Sequence, residues 1–387
     1  MKIALVSPYD FAYPGGVTNH ISALEHQLTR LGHEVKVIAP ASKAVSVFGD
    51  RFIPIGKPRP IPTSGSIARI TISIRLASTI KKVLSLEKFD IVHLHEPFMP
   101  MLCSAVLRFS DTVNIGTFHA YEGSPGYGIG RPFTNLILSR RARKLHHKIA
   151  VSQPAREYAA KYVPGPYEVI PNGIDRNHFT ADIAPIEKLC DGKLNILFVG
   201  RLEKRKGVNY LLKAYKLVKQ AVPEARLIIV GPGSRLKRKY EKQIKQDRLM
   251  DVVFIGYVSH DDLPRYYKTA DVFCAPATSQ ESFGIVLLEA MAIGTPVVAT
   301  SVAGYSCVIS HGEDGYLVPP RDDKNLAQSL ILLLKDESLR REMGARGILK
   351  ARKYDWEEVT QRILNCYTRV LANSRNGNPV ESKASLI

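Results

Sequence analysis

The 387-residue sequence is poor in cysteine and contains no long hydrophobic run. Its five cysteines are odd in number and widely separated, and no Cys-x-x-Cys pair occurs, which argues against a disulfide framework or a zinc ribbon. The longest weakly charged stretch, residues 283–310, is interrupted by Glu289 and Gly294 and is a poor candidate for a membrane-spanning helix. The N-terminal apolar run ends at Ser7-Pro8, too early for a signal-peptide core. We therefore expect a cytoplasmic protein with reduced thiols, which associates with a membrane at most peripherally.

Acidic residues are also scarce relative to basic ones. The chain has 54 Lys and Arg against 36 Asp and Glu, a formal net charge of +18, which predicts an anionic partner. Nucleic acid, an acidic membrane surface and a phosphorylated substrate all fit that charge. The basic residues are spread over both halves, and no helix-turn-helix, RRM or zinc-finger pattern accompanies them, so nucleic acid is the weakest of the three.

Short apolar runs alternate with longer helical patterns, and this alternation restarts after Ile170. Such an order predicts an α/β protein with two Rossmann-like, doubly wound parallel-sheet domains that face a deep cleft. We place the domains at 1–172 and 190–353, with a last helix near 356–371 that returns to the first domain and a flexible tail at 373–387. The predicted strands are Ile3–Ser7, Val35–Ala39, Ile91–Leu94, Ile115–Phe118 and Lys148–Val151, then Asn195–Val199, Arg226–Val230, Val252–Ile255, Val272–Ala275 and Pro296–Ala299.

Two loops that follow predicted strands have the chemistry of a phosphate site. Gly15-Gly16 precedes the first helix, where free amides and a positive dipole end favour an anion, although a plain turn fits equally well. Arg201 and Lys206 follow the first strand of the second half and could neutralise a diphosphate, although a solvated basic turn is the simpler reading. No Asp-x-Asp metal motif occurs in the chain, which argues against an essential catalytic metal.

A pair of carboxylates, Glu281 and Glu289, flanks the start of a predicted helix. In a helix, eight residues advance about 12 Å, so the two side chains would contact different parts of one long ligand. That separation is unlike the acid/base pair of a hydrolase. The alternative is a plain helix N-terminus at which Glu281 favours the dipole. His119 follows the strand Ile115–Phe118, a position that raises its candidacy above that of an ordinary structural histidine.

Taken together, the ordered motifs resemble the family-4 glycosyltransferases of the GT-B fold. Within that family the chain is most similar to actinobacterial phosphatidylinositol mannosyltransferases, through residues 8–17, Leu94–Pro97 and Gly65–Arg69, although Thr63-Ser64 departs from the Tyr-Asn of their pattern. The motifs that carry the wider likeness are Gly15-Gly16, His119, Asn172–Asp175, Gly200-Arg201, Lys206-Gly207, Glu281 with Glu289, Gly294–Ala299 and Gly312–Gly315.

The resemblance implies a retaining transfer of a sugar, here mannose from GDP-mannose, to a phosphatidylinositol-type lipid, by a front-face mechanism that needs no metal; any Mg²⁺ binding would be non-essential. Arg201 and Lys206 would hold the diphosphate and Gly16 would offer its amide to the phosphate or the sugar. Glu281 would bind the sugar hydroxyls, Glu289 the ribose, and His119 would orient the sugar. The remaining implied contacts are Phe283, Gly284 and Ile285 to the sugar through their amides, Tyr257 and Val258 to the base, and Ser66 and Arg69 to the inositol phosphate.

Two segments are candidates for contact with an anionic membrane, such as the inner face of the plasma membrane. Residues 75–84 predict a basic amphipathic helix with Leu76, Ile80, Val83 and Leu84 on its apolar stripe, although an ordinary core-packed helix is more common. Residues 140–148 form a denser basic run that could instead be a solvated helix face. Other functions also fit: a UDP-sugar-dependent transferase acting on another glycolipid or polysaccharide precursor, a nucleotide-sugar epimerase, or a nucleic-acid-binding protein.

Overall fold

The computed structural model describes residues 1–13, 15–63, 66–73, 75–121, 140–233 and 235–375, and only the backbone of residues 62, 63, 66 and 67. Pro14, Ser64, Gly65 and the residues from 376 onward therefore lie outside the described part. The chain divides into two compact units. Unit 1 comprises Met1–Asn172 together with Trp356–Ile387, and unit 2 comprises Gly173–Asp355.

Unit 1 is built on a parallel sheet whose strands are β1 (Lys2–Val6), β2 (Glu34–Ala39), β3 (Phe52–Pro54), β6 (Ile91–His95), β7 (Val113–Phe118), β8 (His147–Ala150) and β9 (Glu168–Val169). The order across the sheet is β3-β2-β1-β6-β7-β8-β9. The chain order reverses on the two sides of β1, and ligands of doubly wound sheets bind at the carboxyl ends of the strands beside such a point.

The helices of unit 1 are α1 (Gly16–Arg30), α2 (Ala77–Glu87), α3 (Leu102–Phe109), α4 (Gln153–Ala160) and α12 (Trp356–Arg375). The last helix packs Val359, Ile363 and Val370 into the same core as Ile3 and Leu5 of β1. It continues to Arg375, past the end expected from the sequence, so residues 373–375 are helical.

A short antiparallel hairpin, β4 (Pro58–Thr63) and β5 (Ser66–Thr71), lies apart from the main sheet of unit 1. It is attached to the loop after β1 through a bridge between Tyr9 and Ile70 and through a hydrogen bond from the Asp10 amide to the Arg69 carbonyl. The alternation of helices and strands did not predict this hairpin.

Unit 2 repeats the architecture with strands β10 (Leu194–Val199), β11 (Ala225–Val230), β12 (Val252–Gly256), β13 (Val272–Ala275), β14 (Val297–Thr300) and β15 (Tyr316–Val318). The sheet order is β12-β11-β10-β13-β14-β15, and all neighbouring pairs are parallel. The prediction of two parallel-sheet α/β domains is confirmed. The helices are α5 (Val208–Ala221), α6 (Arg235–Gln246), α7 (Leu263–Thr269), α8 (Ile285–Ile293), α9 (Ala303–Ser306), α10 (Asp323–Lys335) and α11 (Glu337–Arg352).

The apolar stripe proposed for the membrane is part of the core of unit 1. Leu76 and Ile80 are 8% and 1% exposed and pack in a cluster with Phe89 and Leu107, because α2 lies against α3. Val83 and Leu84 are half-buried and pack against the same cluster. The stripe therefore belongs to the core, and the core-packed alternative is the correct one. The exposed side chains of this helix include Lys81 and Lys82. Within the residues that the structure covers, no helix is both long enough and apolar enough to cross a membrane.

The basic run at 140–148 is likewise not one solvated helix face. Residues 140–142 are helical, a turn follows, and β8 begins at His147. Lys144 donates to the carbonyls of Arg108 and Ser110, at 2.7 and 2.8 Å, and so caps the C-terminus of α3.

Candidate active site

The loop between β10 and α5 carries the two cations that the sequence singles out. It forms a 3-10 turn over Lys204–Lys206 and enters the helix at Gly207, whose φ is 72°. A Cβ at this glycine would lie 1.8 Å from the Pro276 carbonyl oxygen, so only glycine allows the loop to approach the end of β13. The Thr278 amide then donates to the Arg205 carbonyl at 2.7 Å and joins the two loops.

A chain of ion pairs crosses these joined loops. Nζ of Lys206 lies 2.8 Å from Oε1 of Glu281, and Nη1 of Arg205 lies 2.6 Å from the same oxygen. Arg205 also pairs with Glu203, which in turn pairs with Arg201 at 3.0 Å. The Lys206 and Glu281 side chains are 14% and 12% exposed, so solvent screens this pair only in part. Three cations face two carboxylates, and one positive charge is left uncompensated.

The two predicted diphosphate ligands occupy different environments. The Arg201 side chain is 54% exposed and pairs with Glu203, whereas the largely buried Lys206 pairs with Glu281. Arg205 contacts Glu281 directly and was missed from the sequence. Its only sequence signal is its place in a run of three basic residues, which is equally typical of a solvated turn.

Glu281 is not on a helix. The helix α8 begins at Ile285, after Gly284 with a φ of 106°. Glu289 lies on this helix but Glu281 precedes it, so the helical spacing assumed for the pair does not apply. The loop before the helix is fixed by Gly304 of α9, because a Cβ there would lie 2.2 Å from the Glu281 carbonyl oxygen. Phe283 is buried and anchors the loop, and the first amides of α8 follow it at the helix N-terminus, a position that favours anions and hydroxyl oxygens.

Glu289 is the single ionisable residue of α8, whose sequence is otherwise apolar on every side. A helix of that kind is expected to be buried, so a carboxylate in it needs an explanation beyond solubility. Burial raises the pKa of Glu289 to about 6, while a hydrogen bond of 2.7 Å from the Tyr267 hydroxyl to its Oε2 and the nearby His178 and Lys206 lower it. Glu289 therefore titrates close to neutral pH, and its ionised carboxylate can accept hydrogen bonds.

The segment predicted to face the base follows β12. The amide of Gly231 donates to the Gly256 carbonyl at 2.7 Å and ties this segment to the end of β11. Tyr257 is 71% exposed, whereas Val258 packs against the core. Of the two, Tyr257 is the one whose aromatic ring is exposed.

In unit 1 the first helix begins at Gly16, preceded by Gly15 in an extended conformation. A Cβ at Gly16 would meet nothing within 4 Å, so the fold itself does not require glycine at this position. The open space at the Cβ position is compatible with the predicted ligand contact.

His119 lies in a cluster of buried imidazoles at the carboxyl ends of β6 and β7. Its Nε2 is 2.9 Å from Nδ1 of His95, and its backbone amide donates to Oε1 of Glu96 at 2.6 Å. The His20 ring packs edge-on against it, with centroids 4.9 Å apart, and Nδ1 of His20 lies 2.9 Å from Oδ1 of Asn172. Burial, together with the neighbouring imidazoles, holds the pKa values of His95 and His119 well below the ordinary range, so both rings are neutral at pH 7.

Among the residues that the structure describes, two groups of side chains have the spacing of metal ligands. His20, His95 and His119 offer nitrogens within 4.8 Å of one another, and His147, Glu168 and Cys366 do the same. The second group fits a metal poorly, because burial raises the pKa of the Cys366 thiol to about 12 and Glu168 pairs with an arginine at 2.6 Å. In the first group, the contact between His95 and His119 already engages one nitrogen of each ring.

The comparisons with known proteins agree over almost the entire chain. Residues 14–178 match the family model "Glycosyltransferase Family 4", and residues 180–350 match "Glycosyl transferases group 1". The phosphatidyl-myo-inositol mannosyltransferase of Mycobacterium leprae is 35% identical, over 96% of this chain and 97% of that protein. This chain belongs to the family-4 glycosyltransferases.

A more distant relative and a solved structure are also similar to this glycosyltransferase. The gpi3 subunit of the phosphatidylinositol N-acetylglucosaminyltransferase of Schizosaccharomyces pombe is 27% identical over 96% of this chain and 81% of that protein. The structure of Anabaena HepE in complex with UDP and glucose superposes with a TM-score of 0.74 at 21% identity, over 95% of this chain and 99% of that one, which shows a common GT-B fold.

The acceptor residues predicted for the glycosyltransferase lie in the β4–β5 hairpin. The guanidinium carbon of Arg69 lies 4.0 Å from the centroid of the Tyr13 ring, which is 40% exposed and belongs to the loop after β1. Ser66 begins β5, but its side chain lies outside the described residues. The hairpin and the first loop thus place an arginine and an aromatic ring side by side in unit 1.

Proposed function

We propose that this glycosyltransferase transfers mannose from GDP-mannose to a phosphatidylinositol-type lipid at a membrane surface, with retention of the anomeric configuration. The observation that carries the proposal is the contact of Lys206 and Arg205 with Glu281, at the carboxyl ends of β10 and β13. The names of the mycobacterial and fission-yeast relatives support phosphatidylinositol as the acceptor class.

The ion pairs suggest how the donor is bound. The diphosphate replaces Glu281 as the partner of Lys206, and Arg201 turns from Glu203 toward the same phosphates. Arg205 retains its ion pair with Glu281, and the Glu281 carboxylate is then available to accept hydrogen bonds from the sugar hydroxyls. The amides of Phe283, Gly284 and Ile285 assist that contact at the start of α8.

Further residues complete the donor site in this proposal. Glu289 accepts hydrogen bonds from the ribose, and the base lies against Tyr257 and Val258. The amide of Gly16 binds the phosphate or the sugar, and His119 holds a sugar hydroxyl.

Departure of the diphosphate is the step that the protein accelerates most. Cations aimed at the leaving phosphates stabilise the negative charge that develops there, and the uncompensated charge of the loop serves that purpose. The departing diphosphate takes the proton of the acceptor hydroxyl on the same face of the sugar, so the configuration is retained. The cations perform the electrostatic work without a required metal, so chelators should leave turnover unchanged.

The acceptor is held by Arg69, whose guanidinium matches the inositol phosphate, with Ser66 nearby on the same strand. Membrane contact in this proposal is electrostatic. It uses exposed cations such as Lys81 and Lys82 of α2, since the apolar side of that helix is committed to the core.

A thermal-shift panel of GDP-mannose, UDP-glucose, UDP-N-acetylglucosamine and ADP-glucose tests the donor. Specific binding raises the melting temperature by mass action, and GDP-mannose should produce the largest shift. Lys206→Ala should abolish the shift, and Lys204→Ala, an exposed neighbour in the same turn, should keep it.

Two outcomes would contradict this assignment. A shift with UDP-sugars alone favours the second candidate, a UDP-sugar-dependent glycolipid or polysaccharide transferase, which the UDP complex of HepE supports. Epimerised nucleotide sugar after incubation without acceptor would instead identify an epimerase.

A further inference from the structure

His119 has only one ring nitrogen left for a ligand. Its Nε2 is 2.9 Å from Nδ1 of His95, inside the buried cluster, so a sugar hydroxyl can meet only Nδ1. The ring plane is fixed as well, because the His20 ring packs against it at 80° and Trp356 packs against His20 at 70°. The position and orientation of the ring do not by themselves decide which nitrogen of His119 carries the proton.

The pair of rings admits two arrangements of protons. Both imidazoles are neutral, so each carries one proton, and one of the two must lie between Nδ1 of His95 and Nε2 of His119. If His95 donates, its own Nε2 is bare and the proton of His119 sits on Nδ1. If His119 donates, its Nδ1 is bare and the proton of His95 sits on Nε2.

The surroundings of His95 decide between these arrangements. His95 is fully buried, and among the described residues its Nε2 has no hydrogen-bond partner. A buried N–H group without an acceptor is rarer and more costly than an under-used acceptor. The arrangement in which the Nε2 of His95 is bare is therefore the more stable one.

The neighbouring His20 ring does not supply an acceptor for an N–H group at Nε2 of His95. Asn172 presents Oδ1 to Nδ1 of His20, so His20 carries its proton on Nδ1 and its Nε2 is bare. Yet, within the part of the chain that is described, this Nε2 likewise has no partner, and so it does not accept a proton from His95.

We propose that His95 is a positioning residue that donates its Nδ1 proton to Nε2 of His119 and thereby makes His119 a hydrogen-bond donor, through Nδ1, to a hydroxyl oxygen of the transferred sugar. The inference rests on the proposed function for the identity of that ligand. It does not depend on it for the tautomer, which is a property of the free protein.

The tautomer can be measured directly in protein labelled with ¹⁵N-histidine. A long-range ¹H–¹⁵N correlation distinguishes bare from protonated ring nitrogens, and His119→Ala and His95→Asn assign the signals by their loss. At about pH 7.5, without any sugar, we expect His119 to be protonated on Nδ1 and bare on Nε2. Protonation on Nε2 would overturn the proposal, whatever the enzyme's activity.

Variants of His95 connect the tautomer to turnover. His95→Asn keeps an N–H donor close to the position of Nδ1, whereas His95→Leu removes it. We expect His95→Leu to lose the His119 tautomer and to lower kcat by about ten- to a hundredfold with little change in KM for the donor. His95→Asn should restore both the tautomer and most of kcat. Equal kcat losses in both variants, with the tautomer intact, would contradict a positioning role.

Tyr367→Phe serves as the matched control. Its hydroxyl lies 2.6 Å from Nδ1 of His93 in the same buried cluster but does not touch the bond between His95 and His119. This variant should leave the tautomer and kcat unchanged, and a loss of either would show that general disturbance of the cluster is responsible. Full activity of His119→Ala would refute the role given to His119 in the proposed function, while the tautomer measurement would stand.

Discussion

Nζ of Lys206 lies 2.8 Å from Oε1 of Glu281, a residue 75 positions further along the chain, in a largely buried contact. Two loops that end neighbouring strands, β10 and β13, meet there, and Arg205 holds the same oxygen from the other side. In the proposed function, Glu281 gives up its ion pair with Lys206 when the donor diphosphate binds. The predictions below follow from this arrangement and from the residues around it.

Lys206→Ala should lower kcat/KM by at least about a hundredfold, or about 2.7 kcal/mol, because it removes a cation that stabilises the departing diphosphate. Arg205→Ala should lower kcat as well, since Glu281 is then no longer held in position. Steady-state transfer assays measure both, with Lys204→Ala as the control that keeps wild-type rates. Wild-type turnover in Lys206→Ala would refute the donor site.

Gly16→Ala should lose activity and keep its stability, whereas Gly207→Ala should lose stability. A Cβ at Gly16 has open space, so the variant should keep its melting temperature and lose transfer, because the methyl group obstructs the ligand. A Cβ at Gly207 would overlap the Pro276 carbonyl oxygen at a φ of 72°, so that variant should be destabilised by at least about 1–3 kcal/mol. Calorimetry and transfer assays on both variants check this. A fully active Gly16→Ala would exclude the contact at its amide.

Glu289→Gln should change how stability depends on pH. The pKa of Glu289 is raised to about 6 by burial, so the folded protein binds more protons than the unfolded chain between about pH 4.5 and 6. Stability is therefore lost as pH rises through that window, by up to about 2 kcal/mol, and the glutamine variant does not suffer this loss. Urea unfolding at about pH 4.5 and pH 7.5 should show the variant gaining relative to wild type at the higher pH. A constant difference at both values would contradict the shift.

Arg69→Ala should raise KM for the lipid acceptor by about tenfold or more and leave the thermal shift by GDP-mannose unchanged, because Arg69 is assigned to the acceptor only. Arg59, an exposed arginine of the same hairpin, provides the control. If Arg59→Ala and Arg69→Ala behave alike, the effect is one of general charge and the acceptor site is wrongly placed.

The sequence was informative wherever a pattern has one structural meaning. Continuous apolar runs separated by helical patterns predicted ten of the thirteen strands of the two parallel sheets, and the short strands β3, β9 and β15 were missed. The doubly wound fold brings the carboxyl ends of its strands together at one edge, so residues from loops that are distant in sequence come into contact there. Lys206 and Glu281, far apart in sequence, illustrate this.

The sequence was less informative where several structures share one pattern. The apolar stripe of α2 is compatible with lipid or with a core, and only the position of α3 decides between them. Arg205 and Arg201 are both basic residues of one loop, and their different partners depend on the contact with the next loop. His20 belongs to no motif, and His95 was singled out only as part of the stretch Leu94–Pro97. The importance of both follows from their burial beside His119, which a linear pattern does not show.

The most direct measurement of the central claim is transfer itself. Purified protein is incubated with GDP-mannose carrying labelled mannose and with vesicles that contain phosphatidylinositol, and the lipid product is analysed for its anomeric configuration. The account predicts labelled mannose on phosphatidylinositol with the α configuration of the donor retained, in wild type and Lys204→Ala but not in Lys206→Ala. Absence of labelled lipid with wild-type protein, or an inverted product, would contradict it.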